Sequence, residues 1–115
     1  MTYKRGNVII VNFPNSDLKT YIQRPALIIQ DENVVTGLNQ RIVALITSTK
    51  RVGESRVQVK KDTAEGKEMG IRTDSTIVTD NIATVFDAAI NRSIGICNDM
   101  NKIDNALRKI LRLSP

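Results

Sequence analysis

Short apolar runs rich in valine and isoleucine punctuate the chain, each bounded by Gly, Asn, Asp or Pro. Runs of this length and composition read as strands, and five are predicted: 6–13, 24–30, 41–47, 56–61 and 75–79. Three of them, carrying NVIIV, ALII and RIVALI, lack polar alternation, which calls for a sheet buried on both faces. A small barrel, curled on itself and also covered from outside, meets that requirement. The pattern changes in NDMNKIDNALRKILRL, where Met100, Ile103, Leu107 and Ile110 recur at a helical period with Ala106 and Leu111 on the flank. Asn98 is the expected cap of this helix, with Asp99 in its first turn, and Arg108, Lys109 and Arg112 favour the negative end of its dipole. The helix is expected to pack across the barrel. With no internal repeat or linker, the expectation is a single domain over 1–115, mainly β with short helices.

One junction in this pattern raises a chemical question. In YIQRPALIIQ, Arg24 and Pro25 stand at the mouth of an apolar strand. Pro25 has no N–H and a fixed φ, so it suits a strand start, and it pushes Arg24 towards extended backbone. Arg24 is then either a solvated edge charge or a guanidinium held rigidly for a phosphate. The polar segments 14–23, 31–40 and 48–55 are the expected functional loops.

Composition narrows the chemistry. The chain of 115 residues suffices for one domain with its own core. Its N-terminal apolar run, 8–11, is far too short to cross a bilayer, so a soluble, cytoplasmic protein is expected. Seventeen Lys and Arg against twelve Asp and Glu leave a net charge of +5, which makes a polyanionic partner plausible. The cations crowd residues 41–72, but Glu54, Asp62, Glu65 and Glu68 are interleaved, so a solvated basic loop is an equal reading. The single Cys97 excludes an intrachain disulfide and a cysteine-based metal site, and its apolar setting suggests a packed thiol. There is no histidine, so His acid–base pairs and Ser-His or Cys-His nucleophiles are absent, and metal hydrolysis is poorly supported. No Gly-rich phosphate loop occurs, and Tyr3, Phe13, Tyr21 and Phe86 are too few for a base-stacking platform. Any catalysis falls to Arg, Lys, Asp, Glu, Ser, Thr or Tyr.

The order of RGNVIIV, RPALII, ALITST, DSTIVTDNIATV and DMNKIDNALRKIL along the chain resembles the MazF/PemK family of toxins from toxin–antitoxin systems. RPALII followed about twenty residues later by ITS carries most of that likeness. The resemblance implies an SH3-like small barrel of the CcdB/PemK/MazF kind with a C-terminal helix. It also implies a homodimer, neutralisation by a cognate antitoxin with an acidic C-terminal tail, and cleavage of single-stranded RNA without a cofactor or metal. RNA supplies its own nucleophile, the 2′-OH, so alignment and charge stabilisation suffice and no histidine is required. By resemblance Arg24 and Thr47 form the catalytic pair, Arg24 clamping the phosphate and Thr47 donating its O–H to a phosphoryl oxygen. Asp80 matches an aspartate assigned as base in the PemK branch. Here, however, Val78 and Ala83 replace two of that branch's arginines, which leaves a structural role as a turn-bonding residue equally open for Asp80. The loop NSDLKTYIQ replaces a Gly-rich stretch, so no family cleavage sequence carries over; Lys19 and Tyr21 within it, and Ser48, Lys50 and Arg51 after the ITS motif, are candidate RNA contacts. Two alternatives are a CcdB-like gyrase poison, disfavoured by the absence of tryptophan, and a non-catalytic nucleic-acid-binding barrel.

Overall fold

The computed structural model describes residues 3–14, 17 and 19–114. Six strands form one antiparallel sheet: β1 (Asn7–Pro14), β2 (Tyr21–Ile28), β3 (Gln40–Thr47), β4 (Arg56–Val59), β5 (Ser75–Phe86) and β6 (Ile90–Ile96). They lie in the order β4-β5-β3-β2-β1-β6. Two helices, α1 (Ala64–Met69) and α2 (Met100–Leu111), complete the chain. The mainly β expectation holds, but β4 and β6 end the sheet unpaired with each other, so it is a curled sheet and not a closed ring of hydrogen bonds.

The unalternating strands do bury both faces. On one face Val8, Leu27, Ala44, Ile46, Val59 and Ile77 pack with Met69 of α1, Ile103 of α2 and Cys97. The first turns of the amphipathic stripe of α2, with Met100, Ile103, Ala106 and Leu107, thus cover the sheet, whereas Ile110 and Leu111, expected on the same face, are exposed. On the other face Ile9, Val11, Ala26, Ile28, Val43, Val85 and Ile90 form a second cluster. No α-helix contributes to that cluster, so the curl of the sheet closes it. Burying each of these larger side chains fully stabilises the fold by about 1.5–3 kcal/mol before ordering costs.

Three features were not read from the sequence. β5 runs on past Thr79 because Thr79, Asp80 and Asn81 bulge out: Leu45 faces Val78, while the next residue back, Ala44, already faces Ile82. β6 shows no alternation in INRSIGI because its ladder with β1 shifts register twice. α1 is too short for a period, and local chemistry bounds it: the Thr63 hydroxyl accepts from the Gly66 N–H at 3.0 Å, and Gly70 closes it at a φ of 73°. The backbone of α1 lies directly on β6, since a Cβ at Gly95 would collide with the carbonyls of Glu68 and Met69. The cap of α2 also differs from expectation. Asp99 occupies that position without a side-chain bond, and the Asn98 amide instead donates to Glu68. Cys97 is packed in the core as expected, and burial raises its thiol pKa.

Candidate active site

β2 and β3 are paired along only part of their lengths. Ala26 faces Leu45, Leu27 faces Ala44 and Ile28 faces Val43, and there the ladder stops. Beyond Ala26, β2 pairs only with β1, Pro25 facing Ile10 and Arg24 facing Val11. Beyond Leu45, β3 continues against β5, with Thr47 facing Thr76. Pro25, which has no N–H to donate, is the first residue past the last paired position. Continuing the register sets Arg24 opposite Thr47 on the same face of the sheet. Two residues that are 23 positions apart thereby occupy facing register positions two residues past the last pair of the β2–β3 ladder.

Arg24 is exposed, and its side chain has no hydrogen bond or ion pair among the described residues. Thr47 is half-buried, and its Oγ1 accepts from the Thr49 N–H at 3.1 Å, which fixes the oxygen and leaves its proton to donate. Thr76, on β5, is buried; its hydroxyl donates to Gln58 Oε1 at 2.8 Å and accepts from the Arg51 N–H at 3.4 Å. Gln58 donates in turn to the Arg51 carbonyl. This small network ties the loop 48–55 to the sheet. Gln58 and Thr76 went unnoticed in the sequence, where each reads as an ordinary strand residue.

A cleft of 510 Å³ lies over β1, β2 and β6, walled by Ile10, Gln23, Pro25, Arg92 and Ile94 on one side and by residues 70–73 and Ser75 on the other, with no described residue of β3 in its lining. A smaller cleft of 190 Å³ shares Ser75 with it and takes in Ser48, Lys50, Gln58, Lys60 and Thr76. Of the expected RNA contacts, Ser48 and Lys50 line this second cleft, and Arg51 is held beside it through its backbone. Tyr21 borders a separate cleft with Asn12, Phe86, Ala88 and Ala89. Lys19 is exposed, its N–H donating to Asp17 at 2.9 Å; residues 15, 16 and 18 of that loop lie outside the described residues.

Asp80 is not brought together with Arg24 and Thr47. It stands in the bulge of β5 facing β4, where Arg56 donates to both of its oxygens, Nε at 3.1 Å and Nη2 at 2.9 Å, and the Ser55 hydroxyl adds a bond at 3.1 Å. The Arg56 hydrogen bonds hold its carboxyl below the ordinary value, which makes it a weak base. These bonds tie the bulge of β5 to β4 and to the turn before it. Among the described residues no cluster of His, Cys, Asp or Glu could hold a metal ion.

Solved structures share this fold across nearly the whole chain. A mycobacterial endoribonuclease in complex with its cognate antitoxin superposes with a TM-score of 0.74 at 22% identity, covering 99% of both chains. The Mycobacterium tuberculosis toxin MazF-mt6 gives 0.74 at 24% identity, over 95% of this chain and 99% of that one. The MazE–MazF structure from Deinococcus radiodurans gives 0.77 at 13% identity, over 99% and 100%. No curated protein matches. The family profile described as PemK-like, MazF-like toxin of type II toxin-antitoxin system matches residues 4–111. The chain belongs to this PemK-like, MazF-like toxin family.

Proposed function

We propose that the chain is a metal-independent endoribonuclease toxin that cuts single-stranded RNA at the open end of its sheet. The observation that carries this reading is the register that sets Arg24 opposite Thr47 where β2 and β3 part. In the reaction the 2′-oxygen attacks the adjacent phosphorus, the bond to the 5′-oxygen breaks, and the 2′ proton leaves as the departing oxygen gains one. The products are a 2′,3′-cyclic phosphate and a 5′-hydroxyl. Arg24, unpaired and always protonated, clamps the phosphate and stabilises the charge that builds on its oxygens; a guanidinium does not give up its proton in a protein and so cannot serve as the base. Thr47, with its oxygen already fixed by the Thr49 N–H, turns its proton towards a phosphoryl oxygen. Asp80 braces β4 against β5 and takes no proton.

The protein acts in the cytoplasm as a homodimer, for which exposed Ile42, Ile82 and Phe86 on adjacent β3 and β5 offer an apolar face. None of its helices is long and apolar enough to cross a membrane among the described residues. An antitoxin neutralises it by laying an acidic, partly apolar tail across the cationic clefts, in line with the antitoxin complexes among its structural relatives. Coexpression of that antitoxin should relieve toxicity.

The decisive experiment uses two synthetic oligonucleotides, one with a single 2′-deoxy substitution just 5′ of the scissile phosphate, incubated in EDTA and analysed by mass. Cleavage of the ribo strand alone, with cyclic-phosphate ends, is expected. Strict dependence on Mg²⁺, or equal cutting of the deoxy strand, overturns the mechanism.

A further inference from the structure

Three of the nine arginines pair with a carboxylate, and six, Arg24, Arg51, Arg72, Arg92, Arg108 and Arg112, do not among the described residues. Arg5 pairs with Asp104, Arg41 with Asp87 at 3.4 Å and Arg56 with Asp80 at 2.9 Å. Two others, Arg72 and Arg92, line the 510 Å³ cleft and have no carboxylate partner among the described residues. Arg92 touches only the amide oxygen of Asn91, at 3.0 Å, and Arg72 has no polar partner among the described residues. Both are exposed, and they reach the cleft from separate elements, Arg72 from the turn after α1 and Arg92 from β6. Arg24, between Gln23 and Pro25 in β2, is also unpaired, but alternation along the strand turns its side chain to the opposite face from theirs, outside this cleft. Cations left without counter-charges around one concave space attract an anion that spans them. The space itself is of ligand size, within the range of about 300–1,000 Å³. Its surface is apolar at Ile10, Pro25, Ile71 and Ile94, with the exposed Gln23 amide at its edge. An apolar floor rimmed by guanidiniums suits a flat heterocycle carried on a phosphodiester chain.

We infer that the cleft is a subsite for a nucleotide flanking the scissile phosphate, in which Arg72 and Arg92 each hold a backbone phosphate and Gln23 reads the edge of the base lying on Ile71 and Ile94. This inference rests on the proposed RNA cleavage at Arg24 and Thr47. It assigns affinity and choice of sequence to the cleft on one face of β2, and bond breaking to Arg24 and Thr47 on the other.

The test measures binding of a short random-sequence 2′-O-methyl RNA, which keeps phosphates and bases but has no free 2′-OH, at a series of NaCl concentrations. On a single strand, each phosphate that a cation no longer neutralises makes the slope of log affinity on log salt shallower by about 0.7. Arg72→Ala and Arg92→Ala are each expected to change the slope by about that much and the double variant by about twice it, while Lys4→Ala, on the exposed N-terminal segment, keeps the parental slope. Thermal unfolding of each variant is followed alongside. For Gln23→Ala the expected change is in the spectrum of sites cut in a mixed RNA, with the salt slope preserved. Unchanged slopes in both arginine variants overturn the phosphate assignment, and an unchanged cut-site spectrum overturns that of Gln23. If the parent protein cuts RNA while the slopes stay fixed, the subsite fails and the proposed function stands. If the slopes shift as expected in a protein that cuts no RNA, the proposed function fails and the flanking subsite with it, while Arg72 and Arg92 stand as phosphate contacts.

Discussion

The two ends of β2 and β3 are built from the same pair of strands and do opposite work. At the paired end, Ala26, Leu27 and Ile28 lie against Val43, Ala44 and Leu45, and all but Leu45 are fully buried. At the parted end, three residues from Leu27, Arg24 is exposed and uncompensated opposite Thr47. The first end is rigid because its backbone bonds and its side chains are satisfied together. The second is open because the ladder between β2 and β3 lapses where proline removes a donor. Rigidity at one end therefore positions chemistry at the other, and substitutions three residues apart should divide cleanly between stability and rate.

Leu27→Ala should show the largest effect on the fold. It empties a fully buried site in the cluster shared with both helices, and it should destabilise the protein by about 2–5 kcal/mol. Cleavage per folded molecule should survive, which denaturant unfolding and rate measurements on one sample can check. A rate that falls with the folded fraction held constant would blur the division between the two ends.

Arg24→Ala should do the reverse. Removing an exposed, unpaired guanidinium leaves the unfolding free energy within about 0.5 kcal/mol of the parent, while RNA cleavage drops roughly a hundredfold or more through lost transition-state stabilisation. An unaltered rate would return Arg24 to the role of a solvated edge charge. Thr47→Val tests the facing position more gently, keeping the β-branched shape and deleting the hydroxyl. A loss of about tenfold in rate is expected, the size of one hydrogen bond. Equal rates for the parent and the Thr47→Val variant would leave the hydroxyl with only its local bond to Thr49.

Asp80→Asn should have the smallest effect on cleavage, leaving it within a few-fold of the parent; a collapse in rate would reinstate Asp80 as the base. Its signature lies in acid. Because the fork to Arg56 lowers the folded-state pKa of Asp80 below its unfolded value of about 3.9, its contribution to stability is fully present above that value. That contribution is lost as pH falls through the lowered folded-state pKa. The stability gap between parent and Asp80→Asn should therefore be widest above about pH 4 and close on acidification, as thermal unfolding across a pH series would show.

Much of the fold was legible because its signals are local. The runs in β1, β2 and β3 and the helical stripe of α2 are written in neighbouring residues, and their lack of alternation foretold burial on both faces, as the two clusters show. The junction of Arg24 and Pro25, conspicuous in the sequence, falls where the sheet lapses. The elements that escaped are those with no local period. α1 is only six residues long between Thr63 and Gly70, β6 shifts register twice, and β5 bulges at Thr79, Asp80 and Asn81. Charge pairing was equally invisible. Arg56 and Arg72 are the same residue type in the same basic stretch, yet Arg56 is neutralised by Asp80, 24 residues on, while Arg72 faces an open cleft. Side-chain periodicity belongs to consecutive residues, so the sequence alone determined which segments would be buried and which chemistry was possible. The partner of a charge depends on strand order and on where a bulge aims a carboxylate, and so only the tertiary structure decided which cations brace the fold and which remain for a ligand.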